Sequence, residues 1–190
     1  MSYLTEKLAP DATSMIRLDH THVLTTFHQY RSTSRPSAKR GLVNTACIAL
    51  EIHAQLEEEI FYPALRELSD NEALQKSVPE HDEMRRLISL LRSMEPSDVR
   101  YDDTFMELMR DVMHHVADEE TILLPEAERL LHGHLGELGA RMTKRRMQLM
   151  APRAGEIASN LARGMPATSV ALSLGLLATG LWLGMRLARA

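Results

Sequence analysis

Two short stretches of this chain carry residue types at a spacing suited to metal chemistry. Residues 53–63 read His53-Ala54-Gln55-Leu56-Glu57-Glu58-Glu59-Ile60-Phe61-Tyr62-Pro63, and residues 115–125 read His115-Val116-Ala117-Asp118-Glu119-Glu120-Thr121-Ile122-Leu123-Leu124-Pro125. Both fit His-x-x-x-Glu-Glu with a proline ten residues after the histidine. A histidine and a glutamate four apart share one helix face, so each block offers an imidazole and a carboxylate to one point in space. A lone histidine in an apolar stripe precedes each block. His20 and His81 are 61 residues apart, and His53 and His115 are 62 apart.

Buried histidines and glutamates are costly as bare polar groups, because each unpaired one forfeits its hydration. A metal removes the difficulty: neutral imidazoles and ionised carboxylates become ligands, and the cation neutralises the carboxylates. The expected arrangement puts His20 and His53 on one ion and His81 and His115 on a second, with Glu57 and Glu119 shared between them. Each ion then has two nitrogens and two carboxylate oxygens, with positions left open. Such a mixed set suits iron or manganese, with zinc as a further alternative. One His-x-x-x-Glu pair alone is commonly an exposed helix-stabilising pair. Six residues in a duplicated spacing on apolar faces are much harder to obtain by chance. Glu58 and Glu120 are expected to support the site, to act as alternative ligands, or to be plain solvated helix charge. Tyr62 is expected in the packing, with a hydroxyl near the site as the alternative. Cys47 and the abundant methionines read as core, and His28, His114, His132 and His134 as non-ligands.

The elements that must position these groups are helical. A first helix is expected from about Ala12 to Tyr30, capped by Asp11 or Ser14, with Ile16, His20, Val23, Leu24 and Phe27 in its stripe. A second runs from Ala38 to Leu68, with Pro63 kinking or interrupting it. A third starts near Pro79 and carries His81, Met84, Leu87, Ile88 and Leu91. A fourth, about Asp102 to Leu131, presents Phe105, Leu108, Val112, His115, Glu119 and Ile122, and Pro125 interrupts it. The expected architecture is all-α: an antiparallel four-helix bundle over 10–131, with a pseudo-two-fold axis and its site in the core. A basic amphipathic helix (132–150), a linker (151–167) and an apolar helix (168–187) follow.

Composition agrees with a helical protein. Aromatic residues make up 4% of the 190 residues, methionines number 12, and the hydrophobic fraction is an ordinary 44%. A formal charge of −4 gives no reason to expect nucleic acid as a partner. The single cysteine rules out an intrachain disulfide framework and is compatible with a reducing compartment. The first residues lack an apolar run, so no secretory signal is visible. From Gly164 to Met185 no residue is charged, a run of 22, long enough as a helix to cross a hydrocarbon core. Basic residues lie mainly before it, which predicts an anchor holding the bundle at the cytoplasmic face of a membrane. Gly180 and Gly184 form a small-x-x-x-small pattern suited to a homodimer contact. The alternative for this tail is a helix that docks on the bundle or self-associates in solution, in a cytoplasmic protein.

Asp19-His20, the two His-x-x-x-Glu-Glu-x-x-x-x-Pro blocks and Glu80-His81 together resemble the hemerythrin-like, or HHE cation-binding, domain over roughly residues 10–131. The resemblance implies a four-helix bundle with a non-haem di-iron centre held by His20, His53, Glu57, His81, His115 and Glu119. The oxygen-carrying members have a further histidine one turn after the third-helix histidine, where this chain has Arg85. The set is one nitrogen short, which argues against simple reversible oxygen carriage and leaves a position to water, to Glu58 or Glu120, or to a reactive ligand. Arg85 itself is expected to fill, gate or flank the site. The implied function is binding or sensing of oxygen, nitric oxide or peroxide. Alternatives are a peroxide or nitric oxide reductase, an iron storage or delivery protein, and a metal-stabilised membrane adaptor.

Overall fold

The computed structural model describes residues 10–164, and every regular element among them is helical. Asp11 opens α1 (Ala12–Gln29) by accepting the Ser14 N–H at 2.8 Å, a side-chain cap on an otherwise orphaned donor. α2 (Pro36–Leu56) begins with proline at its first position, where the missing N–H costs nothing. It runs through a π-helical turn (Glu57–Phe61) into α3 (Tyr62–Arg66). α4 (Glu72–Ser93) is followed by α5 (Tyr101–Asp118), a second π turn (Glu119–Leu123) and α6 (Leu124–Leu130). α7 (Leu135–Met150), a 3-10 turn (Ala151–Arg153) and α8 (Ala154–Gly164) complete the described chain.

Pro63 and Pro125 each follow an interruption of the α-helix, as expected, but do not end the rods. In the first π turn the Tyr62 N–H bonds the Glu57 carbonyl, five residues back, and the Leu124 N–H bonds Glu119 likewise. The widened turn makes room for the proline that follows, and the rod continues. Pro79 does not open α4 either. The helix starts at Glu72, with Asn71 capping the Ala73 N–H at 2.9 Å, and Pro79 lies in its interior. Ala73 and Leu74 are buried on that first stretch, so apolar burial holds it in the helix against the proline's cost.

The buried apolar residues form two clusters. One holds Ile16, Leu56, Phe61, Leu65, Leu74, Leu123 and Leu124; the other holds Phe27, Leu50, Met84, Leu87, Phe105 and Val112. Each long rod passes from one cluster to the other, and successive rods make the passage in opposite senses. His20, His53, His81 and His115 fall where each rod crosses between the clusters. α7 packs against α1 and α2, and α8 lies along α2. The part of the 151–167 linker that is described is therefore a short turn and a docked helix, whose Asn160 and Leu161 are buried.

Among the described residues no helix is long and apolar enough to cross a membrane. The apolar tail at 168–187, the anchoring expected of it and the contact expected at Gly180 and Gly184 lie outside the described residues.

Candidate metal centre

Each π turn begins on the inner glutamate of its block. Adding a residue to the turn changes which side chains face inward afterwards. Phe61 and Leu123 are fully buried, whereas Ile122, expected on the inner face, is 41% exposed. Leu24, also expected in an apolar stripe, is 36% exposed.

His20, His53, Glu57, His81, His115 and Glu119 are all buried and their polar atoms converge. Glu57 Oε2 lies 3.2 Å from His53 Nε2 and 3.5 Å from His81 Nε2. Glu119 Oε2 lies 3.0 Å from His20 Nε2, 3.4 Å from His115 Nε2 and 4.0 Å from His53 Nε2. His81 Nε2 and His115 Nε2 face each other at 3.1 Å. Two overlapping quartets, His53–Glu57–His81–His115 and His20–His53–Glu57–Glu119, each have ligand atoms within 4.8 Å of one another. The expected division into two histidine pairs is thus crossed by His53, which sits near both groups.

The opposite nitrogen of each ring faces outward to an acid. His20 Nδ1 meets Glu120 Oε1 at 2.8 Å, His81 Nδ1 meets Glu58 Oε1 at 2.8 Å, and His115 Nδ1 meets Glu80 Oε2 at 2.7 Å. His53 Nδ1 faces Asp19 Oδ2 at 3.6 Å. The pattern repeats with the sequence: the acid before each lone histidine serves the histidine of the block that follows, and the acid after each inner glutamate serves a lone histidine. A carboxylate on Nδ1–H fixes the tautomer that leaves Nε2 free as a donor atom and raises its basicity. Glu58 and Glu120 are therefore ring partners here, not part of the inner cluster. Asp19 and Glu80 have the same place; the sequence marked them as parts of the Asp19-His20 and Glu80-His81 motifs but gave them no role at the site. Their signal was an acid immediately before each lone histidine, in both halves.

Three of these acids have a guanidinium behind them: Arg146 on Asp19, Arg17 Nε on Glu120 at 3.1 Å, and Arg85 Nη2 on Glu58 at 2.5 Å. Arg85 also bonds Asp82 at 2.8 Å, so it flanks the cluster from outside and does not fill it. Tyr62 is buried, donates to Glu119 Oε1 at 2.8 Å, lies 3.2 Å from Glu57 Oε2, and stacks on His81. His28, His114, His132 and His134 are exposed.

The electrostatics are those of a site that wants positive charge. Burial and the Glu119 charge push the Glu57 carboxyl well above its usual range, and Glu57 Oε1 has no hydrogen-bond partner. Burial works against charge on Glu119 too, but His115 and His20 prevail and hold it well below the usual range. Burial alone would lower His115; Glu119, Glu80 and Glu57 outweigh it and raise the ring to about 10. Burial depresses His53 to about 4. Without a metal, a proton on His115 supplies the positive charge between the glutamates. A cation between opposed nitrogens and carboxylates satisfies the same atoms better, and the donor set of imidazole and carboxylate fits divalent first-row metals.

The family model for the hemerythrin HHE cation-binding domain matches residues 11–170. A hemerythrin HHE cation-binding domain-containing protein from Mycobacterium kansasii has a similar fold, with TM-score 0.66 and 20% identity over 82% of this chain and 95% of that one. A protein named DNA nickase from Nostoc sp. is 30% identical over 109 residues. That match takes in 57% of this chain and 31% of the relative, so the chain spans under a third of the relative's length. The matched span contains both His-x-x-x-Glu-Glu blocks, both lone histidines and the acids behind them, and the chain belongs to the hemerythrin HHE cation-binding domain family.

Proposed function

We propose that this chain is an antiparallel four-helix, pseudo-two-fold hemerythrin-like protein. In this reading it holds two non-haem iron ions through His20, His53, Glu57, His81, His115 and Glu119, and binds or senses a small oxidant or gas. One observation carries the reading: each inner glutamate reaches histidines of both pairs, Glu57 lying near His53 and His81, and Glu119 near His20 and His115. Carboxylates so placed suit two shared ions better than one. Bound iron would supply Lewis acidity and one-electron chemistry toward oxygen, peroxide or nitric oxide.

The chain's own residues do the rest. The outer acids orient the imidazoles, and the apolar clusters on either side exclude water and strengthen each charge interaction inside. Tyr62 holds a hydroxyl proton between the inner carboxylates. Exposing the iron-loaded, reduced protein to oxygen, peroxide and nitric oxide in turn tests the reading. A spectral change with at least one of them is expected, and an unchanged spectrum with all three overturns the gas or oxidant assignment.

The likeness to the nickase favours one second reading, metal-assisted cleavage of a phosphodiester. Conversion of supercoiled to open-circular plasmid by the metal-loaded protein, abolished in Glu119→Ala, would support it. Uncut plasmid with each of iron, manganese and zinc would remove it.

A further inference from the structure

The four ring nitrogens that face outward are not equivalent. Three meet their carboxylate at 2.7 or 2.8 Å. His53 Nδ1 is buried with no hydrogen-bond partner, and Asp19 stands 3.6 Å away. Asp19 is held elsewhere. Arg146 Nη1 donates to Oδ1 at 2.7 Å and Nη2 donates to Oδ2, a two-pronged fork that takes both carboxylate oxygens. Arg146 belongs to α7, which contributes no residue to the inner cluster.

We propose that α7 is a strap that sets the donor strength of His53. Arg146 holds Asp19 back from the ring, and lifting α7 frees the carboxylate to close on Nδ1. Arg146 is then a positioning residue acting through Asp19. The inference rests on the metal reading of the cluster.

Arg146 and His53 compete for one carboxylate. A guanidinium–carboxylate fork is charge-assisted and bidentate, and it outcompetes a single bond from a neutral ring N–H. While the fork holds, His53 has the least basic Nε2 of the four rings, because no acid draws on its Nδ1–H. The register of the strap is built into the backbone. Gly139 presses so close to the start of α1 that a Cβ there would lie 2.2 Å from the Pro10 carbonyl oxygen and 2.9 Å from Asp11 Cα. Arg146 is two turns beyond Gly139 and Asp19 about two turns beyond Asp11, so seating the glycine sets the arginine over the aspartate. Arg145 Nε on Glu59 at 2.7 Å and Arg153 on Glu51 at 2.8 Å fasten the same C-terminal segment to the first π turn and to α2. Whatever pulls on that segment therefore acts on His53.

The test uses the full chain loaded with zinc, which is diamagnetic. The His53 Nδ1–H resonance is followed by nitrogen-edited NMR, and zinc release to a colorimetric chelator is timed. In Arg146→Met the resonance moves downfield and one zinc leaves about five- to tenfold more slowly, as a new bond to Asp19 requires. Arg146→Lys restores behaviour near the parent's, and Arg141→Met, at an exposed arginine of the same helix, changes neither readout. A faster release or an unmoved resonance in Arg146→Met overturns the proposal. A second variant decides even where Arg146→Met fails to fold: Asp19→Asn should release zinc within about twofold of the parent, while Glu80→Gln, which takes the charge from a bond that is made, releases it about tenfold faster or more. Equal losses in the two overturn the strap. Parent protein that takes up no zinc at all marks failure of the metal reading itself, and the strap falls with it.

Discussion

Tyr62 donates its hydroxyl proton to Glu119 Oε1 at 2.8 Å, joining the helical rod of the first block to the inner acid of the second. The phenol is buried, and burial beside Glu57 and Glu119 drives its pKa well above the ordinary tyrosine value, so it remains a donor. Tyr62→Phe leaves a buried carboxylate oxygen without that donor. The expected loss is about 1–3 kcal/mol in denaturant unfolding of the metal-loaded protein. An unchanged midpoint would mean that the hydroxyl contributes nothing to the cluster.

Gly139 has no room for a side chain, and the atoms a Cβ would meet are backbone atoms that cannot swing aside. Gly139→Ala should cost about 1–3 kcal/mol through overpacking, read as a lowered melting temperature. Gly136→Ala makes the control: no atom lies within 4 Å of a Cβ built there, and its melting temperature should not fall.

Cys47 is fully buried, and burial pushes its thiol up to about 12. The thiolate is the reacting form, so an aromatic disulfide reagent at pH 8 should leave the native thiol untouched and titrate one thiol per chain after denaturation. Stoichiometric reaction with native protein would place Cys47 at the surface.

The metal-free protein should lose stability as pH rises from about 7 towards 10. His115 is raised to about 10 by its acids despite burial, and 6.5 is its ordinary value. Its contribution is complete below the unfolded value and disappears as pH passes through the folded one. His53, depressed by burial to about 4, has the opposite sign: its contribution is complete above 6.5 and is lost as pH falls towards 4. Urea midpoints across this range check both limbs. Metal replaces the His115 proton, so uptake at pH 7 should release protons and flatten the alkaline limb. Uptake with no proton release, measured calorimetrically in buffers of different ionisation enthalpy, would contradict this charge balance.

The helical character of the chain was legible because the apolar spacing and the doubled block are strong and regular. The six polar residues of the inner cluster stood out for the same reason: histidine and glutamate recur at helical spacing within apolar stripes. What stayed hidden depends on backbone geometry that periodicity does not encode. A π turn keeps helical dihedrals yet shifts the inward face by one residue, exchanging Ile122 for Leu123. It also lets the rods run past Pro63 and Pro125. The start of α4 was obscured because Pro79 reads as a first-turn residue, while the Asn71 cap and the buried Leu74 decide the matter in three dimensions. Asp19 and Glu80 pair with histidines on other helices, and no spacing within one helix could reveal that.

The most direct test of the central claim is the metal content of the full chain after anaerobic iron loading and desalting, with an absorption spectrum on the same sample. About two irons per chain are expected, with near-ultraviolet bands after oxidation that bleach on reduction, and loss of the pair in Glu119→Ala. A chain that folds with less than one tightly held ion, or that keeps its iron when Glu119 is removed, would contradict it.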